Sequence, residues 1–208
     1  FRVTSSAFLT RLTLLFCPQM DLLLIILGVA VLLGAGYVVL YNGLVAAKQK
    51  VKEAWSGIDV QLKRRYDLIP NLINTVKGYA THEQDTLNQV TEARTKAMAV
   101  PEGHTAEQAQ AENYLSSTLK SIFALAESYP DLKANENFLA LQTQLTETED
   151  QIASARRIYN NNVTAYNIKV HSFPSNIIAK NHGFAEEEFF EVDPAEQEAI
   201  QQTPKVEF

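Results

Sequence analysis

Apolar residues recur along this chain at steps of three and four, the period of a helix, except in one stretch where polar residues disappear. Leu22 to Leu40 is 19 residues without a charge, roughly 28 Å of helix, close to the hydrocarbon thickness of a bilayer. A cleaved signal peptide would have a shorter apolar run followed by a small-x-small site. Here Tyr41-Asn42-Gly43 follows and leads into helix-forming residues, so the pattern predicts a transmembrane helix over 22–40. Beyond it Val51, Trp55, Ile58, Leu62, Arg65, Ile69, Leu72 and Val76 form one stripe whose phase survives Pro70. A proline that ended the element would reset that phase, so one helix is predicted from about Tyr41 to Lys77, kinked near Pro70 and closed by Gly78 in the left-handed conformation.

Thr81 with Gln84 three residues on has the form of a capping box, opening a second helix through Leu87, Val90, Arg94 and Ala97. After a turn at Pro101-Glu102-Gly103, a third helix is predicted from about Thr105 to Tyr129 on Leu115, Leu119, Ile122, Ala126 and Tyr129. The fourth, from Ala134 to His171, carries Phe138, Leu141, Leu145, Thr148, Ile152, Ala155, Tyr159, Asn162 and Tyr166, about 55 Å of helix. Short connections favour antiparallel neighbours. The fold class expected is therefore all-α: an N-terminal transmembrane helix over 22–40, then an antiparallel up-and-down four-helix bundle over 41–171. The tail, 172–208, is apolar enough at Ile177, Ile178, Phe184, Phe189 and Phe190 to pack on the bundle.

Composition agrees with a helical protein that buries a core: 46% of 208 residues are hydrophobic, with only eight Gly and seven Pro. The net charge of −6 argues against nucleic acid as a partner. That charge is unevenly spread. Lys48, Lys50, Lys52, Lys63, Arg64 and Arg65 stand against Glu53 and Asp59 near the span, whereas the chain from Glu102 onward holds 17 acidic and seven basic residues. Basic residues near a span resist translocation, so Lys48, Lys50 and Lys52 predict a cytoplasmic helical domain and an N-terminus outside. Met20-Asp21 directly precedes the span, which makes residues 1–19 a leader expected to lie upstream of the natural start at Met20. If that leader is made, Arg2 and Arg11 weaken the charge asymmetry. Cys17, the sole cysteine, can form no intrachain disulfide, and Phe16 before it does not suit a lipoprotein site.

No constellation for catalysis emerges. His82, His104, His171 and His182 fall at unrelated places, and Thr86 stands where a metal motif beginning at His82 would need its second histidine. No phosphate loop, nucleophile elbow or cofactor signature is present, so no catalytic, cofactor or metal residue is assigned and no small-molecule substrate is indicated. The most distinctive block is Lys63, Arg64 and Arg65 followed by Asp67, Pro70 and Asn71. One reading makes it a recognition surface for an acidic partner. The other has Arg65, which falls on the apolar stripe, pair with a carboxylate of another helix while its neighbours are solvated. Phe189 and Phe190, amid seven acidic residues between Glu186 and Glu198, are the other candidate partner contacts, unless they dock on the bundle. Tyr159-Asn160 and Tyr166-Asn167 repeat at seven residues, a spacing that sets register by hydrogen bonds inside a bundle.

The blocks YNGLVAAKQKVKEAW, IDVQLKRRYDLIPNLINTVKGY, HEQDTLNQVTEAR, YPDLKANENFLALQ, ETEDQIASARRIYNNNVTAYN, FPSNIIAKNHGF and the terminal PKVEF together resemble the LemA family of bacterial membrane proteins, from Met20 to Phe208. The resemblance implies a single anchor helix with a soluble four-helix bundle and supplies no reaction. It also implies a gene encoded near a membrane zinc protease or near proteins of a small-phosphatase-like domain class, an association that points to envelope quality control. The expectation is a non-enzymatic, membrane-anchored scaffold or adaptor in the bacterial envelope, contacting the lipid bilayer through its anchor and either a second copy of itself or a membrane-protein partner such as a membrane protease. A laterally self-assembling, membrane-shaping protein is the alternative, and an enzyme is the least favoured.

Overall fold

The computed structural model describes residues 4–80, 82–101 and 103–191, with side chains from residue 22 onward. Among the described residues every regular element is a helix: α1 (Thr4–Lys77), α2 (Gln84–Met98), α3 (Thr105–Ala126), α4 (Pro130–Lys133), α5 (Glu136–His171) and α6 (Ser175–His182). The chain falls into two units. One comprises Ala47–Ile168 with Glu186–Phe208, the other Phe1–Ala46 with Lys169–Ala185.

The larger unit is the four-helix bundle. Its core draws Ile69, Leu72 and Val76 from α1, Leu87, Val90 and Ala93 from α2, Leu115, Leu119 and Ile122 from α3, and Phe138 and Leu145 from α5. Helix α1 continues through Pro70 for a visible reason. A proline inside a helix removes the N–H that would bond the carbonyl four residues earlier, here that of Tyr66. Arg94 of α2 donates its Nε to that carbonyl at 2.8 Å, so the orphaned acceptor is satisfied from a neighbouring helix. Asn135 opens α5 as a side-chain cap, its Oδ1 accepting from the Phe138 N–H at 3.0 Å. Pro130 sits at the first position of the single turn α4, where its missing donor costs nothing.

Three local expectations are corrected. Gly78 does not end α1 in the left-handed conformation: among described residues positive φ belongs to Gly103 and Gly183. The helix closes instead through tight bonds from Gly78 N–H to the Thr75 carbonyl and from Tyr79 N–H to the Val76 carbonyl. Helix α2 begins at Gln84 after Glu83, with no side-chain cap; Thr81 of the expected capping box, like Glu102 of the following turn, lies outside the described residues. On α5 Arg156 and Val163 are buried where the stripe predicted Ala155 and Asn162, and on α2 Ala93 is buried where it predicted Arg94. On α5 the stripe steps by four where three was expected, and on α2 by three where four was expected, moving burial to the neighbouring residue.

In the smaller unit every residue from Leu22 to Val39 is exposed. Soluble monomers rarely expose a continuous apolar surface of that length, and α1 is long and apolar enough there to cross a membrane. Helix α6 packs Ile178 and Ala179 on Leu44, with Leu40, Tyr41, Val170 and Phe184 around them. Gly183, at φ 69°, ends α6 in the left-handed conformation, and the Phe184 N–H returns to the Ala179 carbonyl at 2.9 Å.

Leu145 is 1% exposed at the centre of the bundle core. Leu145→Asp removes that packing and buries a carboxylate without a partner, at an expected cost of at least about 3 kcal/mol. Gln144→Asp, on the adjoining exposed position, is the control. Thermal melts of the two variants should differ by many degrees; equal midpoints would mean that Leu145 does not face the core.

Candidate functional site: a buried ion network and a main-chain clamp

The basic block on α1 does not act as one surface. Lys63, Arg64, Asp67 and Asn71 are exposed and Pro70 is half-buried, whereas Arg65 is 0% exposed. Arg65 is thereby withdrawn from the candidate surface, because its guanidinium is consumed inside the bundle. Its Nη2 pairs with Glu112 of α3. Its Nη1 donates to Glu149 of α5 at 2.5 Å and to Ser116 Oγ at 2.8 Å. Ser116 in turn donates to Glu149 at 3.0 Å. Burial opposes the charge on Arg65, but Glu149 and Glu112 together outweigh it, so its pKa is raised above the ordinary value.

Glu112 is itself 1% exposed and gathers further donors. The Tyr66 hydroxyl donates to it, as does Gln108 Nε2 at 2.5 Å. Burial pushes the Tyr66 pKa upward, and the neighbouring Glu112 carboxylate adds to the shift. Sequence pattern alone could have found Glu112, since the α3 stripe extended backward through Leu115 lands on 112. A carboxylate on an apolar stripe, facing an arginine on another, is the signal.

The second feature lies on α5. Asn160 donates its Nδ2 to the Phe190 carbonyl at 3.0 Å and accepts from the Phe190 N–H at 2.9 Å. Asn167 does the same to Glu187, both bonds at 3.0 Å. Between them the Tyr159 hydroxyl donates to the Glu188 carbonyl at 2.9 Å. The spacing explains the seven-residue repeat: seven helical residues rise about 10.5 Å, and three extended residues cover about 10 Å. These side chains therefore hold the backbone of residues 187–190 rather than setting register between helices.

Phe190 is buried, with Trp55 of α1 5.9 Å away between ring centroids and the Arg156 guanidinium over its face at 5.0 Å. Phe189 is 44% exposed. Of the two candidate aromatics, then, one fills the groove and the other faces outward. Lys48 of α1 meets Glu187 at 3.3 Å. Beside the tail an open groove of about 670 Å³ runs along α1 past Lys52, Trp55 and Asp59 to Met98, His104 and Tyr66. No group of three potential metal ligands occurs among the described residues.

Tyr66→Phe should cost about 1.5–3 kcal/mol at neutral pH, since a hydrogen bond to a buried carboxylate is lost. The pH dependence has a fixed sign. An unfolded tyrosine ionises near pH 10, while folded Tyr66 keeps its proton to higher pH. Above about pH 10 the native state binds more protons, and stability falls as pH rises. Urea midpoints between pH 8 and 11 should fall less steeply in Tyr66→Phe than in the parent; equal slopes would contradict the coupling.

A protein LemA of Metamycoplasma hominis is 28% identical over 144 residues, covering 69% of this chain and 65% of that relative. The magnetosome protein MamQ 2 of Paramagnetospirillum magneticum is 26% identical over 179 residues, covering 74% of this chain and 66% of the relative. MamQ of Magnetospirillum gryphiswaldense, at 24%, matches with the same coverage. The chain thus spans just under two thirds of the length of these curated relatives. The LemA family model matches residues 54–208, so the bundle and the tail together carry the likeness, and this membrane-anchored chain belongs to the LemA family.

Proposed function

We propose that this chain is a non-enzymatic, membrane-anchored adaptor of the bacterial envelope whose bundle holds extended polypeptide. The observation that carries the reading is the paired grip of Asn160 and Asn167 on the N–H and carbonyl of residues three apart. Such a grip reads main chain and tolerates varied side chains. It suits a surface that receives peptide segments, and the groove along α1 beside it offers room for a partner's segment. The strongest charges inside the bundle, Arg65, Glu112 and Glu149, pair with one another, which supports a structural duty for them over a chemical one.

A photo-crosslinking residue in place of Met98, 53% exposed on the groove, is expected to capture a second polypeptide in native membranes. Adducts with lipid alone would count against the adaptor. Substrate turnover by the purified chain, abolished by Tyr66→Phe, would overturn the non-enzymatic reading.

The proposed orientation places the bundle in the cytoplasm, on the strength of Lys48, Lys50 and Lys52 just beyond the span. Ser117 is exposed on α3. In a Cys17→Ser background, Ser117→Cys should resist a membrane-impermeant maleimide in intact cells and react after lysis. Efficient labelling before lysis would reverse the orientation.

A further inference from the structure

The depth of α6 relative to a bilayer is fixed by its contacts with α1. The uncharged span ends at Leu40. The His182 ring lies 4.8 Å from that of Tyr41 and within 2.5 Å of the Tyr37 hydroxyl. Phe184 stacks edge-on with Tyr41 at 5.9 Å, Ile178 and Ala179 pack on Leu44, and Lys169 donates to the Gly43 carbonyl at 3.1 Å. All these anchor points fall between Tyr37 and Leu44. On α1 that interval runs from about 4.5 Å inside Leu40 to about 6 Å beyond it. The headgroup layer on one side of a bilayer is roughly 5–7 Å thick. Helix α6 and the turn before it are therefore held at headgroup depth.

What they present there suits lipid. Phe173, in the turn before α6, is 80% exposed, and Ile177, in its first turn, is 54% exposed. Between Lys169 and Ala185 no acidic residue occurs, while Lys169, His171, Lys180 and His182 do, and Lys180 is exposed. In water Phe173 and Ile177 would be apolar surface without a partner; at the acyl boundary they are buried. Tyr37, Tyr41 and Phe184 complete an aromatic cluster of the kind that settles at a membrane interface.

We propose that α6 with the Phe173–Pro174 turn is an interfacial lipid-binding element, in which Phe173 and Ile177 enter the headgroup–acyl boundary and Lys180 meets lipid phosphates. It is a second membrane contact, built from residues more than 130 positions beyond the span in sequence. It depends on the span crossing the bilayer and not on the adaptor reading.

The test uses the full chain with Cys17→Ser, reconstituted in phosphatidylcholine–phosphatidylglycerol vesicles, with a nitroxide at Ile177→Cys, at Phe173→Cys, or at Ser117→Cys as an aqueous reference. Collisions with oxygen, which concentrates in lipid, are compared with collisions with a water-soluble nickel chelate. The expected result is an oxygen-to-nickel ratio several-fold higher at positions 173 and 177 than at 117. Ile177 decides the matter alone if a label at 173 disturbs the turn, because its side chain is exposed. A water-like ratio at 177 overturns the proposal. Exclusion of both reagents there also overturns it, since a protein partner would then cover the face.

Discussion

A single arginine, Arg65, is the constraint around which the bundle is arranged. A guanidinium at 0% exposure is tolerable only if its charge is met, because an unpaired buried ion costs a large part of a domain's stability; the two terminal nitrogens carry the pairing here, while Nε has no hydrogen-bond partner. Arg65 on α1 is met by Glu112 from α3 and by Glu149 and Ser116 across α3 and α5. Three helices must therefore approach in one register for the network to close. Apolar side chains of the same volume could match or exceed its stability. What they would lack is the penalty for sliding a helix by one turn, since leucine packs acceptably against many neighbours and a carboxylate does not.

A second polar contact ties in the remaining helix. Pro70 leaves the Tyr66 carbonyl without its intrahelical donor, and Arg94 of α2 fills the gap. Tyr66 meanwhile points its hydroxyl at Glu112, so the same residue links α2 through its backbone and α3 through its side chain. Gln108 joins α3 to the end of α2, donating to the Ala97 carbonyl at 3.1 Å as well as to Glu112. A proline that would ordinarily break a helix is thus accommodated by a network of which Arg65 is the centre.

Much of the fold was legible because it rests on periodicity. The phase of Ile69, Leu72 and Val76 across Pro70 announced a continuous α1, and Arg65 on that stripe announced a buried pairing. The identity of the partner was not announced, since it depends on which helices become neighbours, and only the backward extension of the α3 stripe hinted at Glu112. Arg156 escaped because an arginine reads as surface until an aromatic ring from the tail covers it, and Phe190 does so from 34 positions away. Helix α1 ends at Lys77 as its pattern predicts, but Gly78 does not take the left-handed conformation that a glycine after a helix suggests, because tight i to i+3 bonds serve equally well without positive φ. The Asn160–Asn167 repeat was visible, but its role was not: helix–helix register and a grip on an extended chain ask for the same residues at the same spacing.

That ambiguity bears on how an acidic tail comes to be held at all. Residues 186–191 carry four glutamates, and folding such a segment against a bundle of negative net charge would be disfavoured if side chains had to supply the binding. The structure places most of the binding in the backbone, through Asn160, Asn167 and Tyr159, and leaves the carboxylates at positions where they meet positive potential. Glu187 meets Lys48. Glu188 reaches toward the Ala106 N–H in the first turn of α3, at 3.4 Å, where the helix dipole favours an anion. Glu186 and Glu191 remain exposed. Only Phe190 contributes a deeply buried side chain. Affinity from main chain, one aromatic anchor and charges confined to the rim is the division of labour by which extended peptides are recognised generally, and here one chain supplies both the peptide and its receptor.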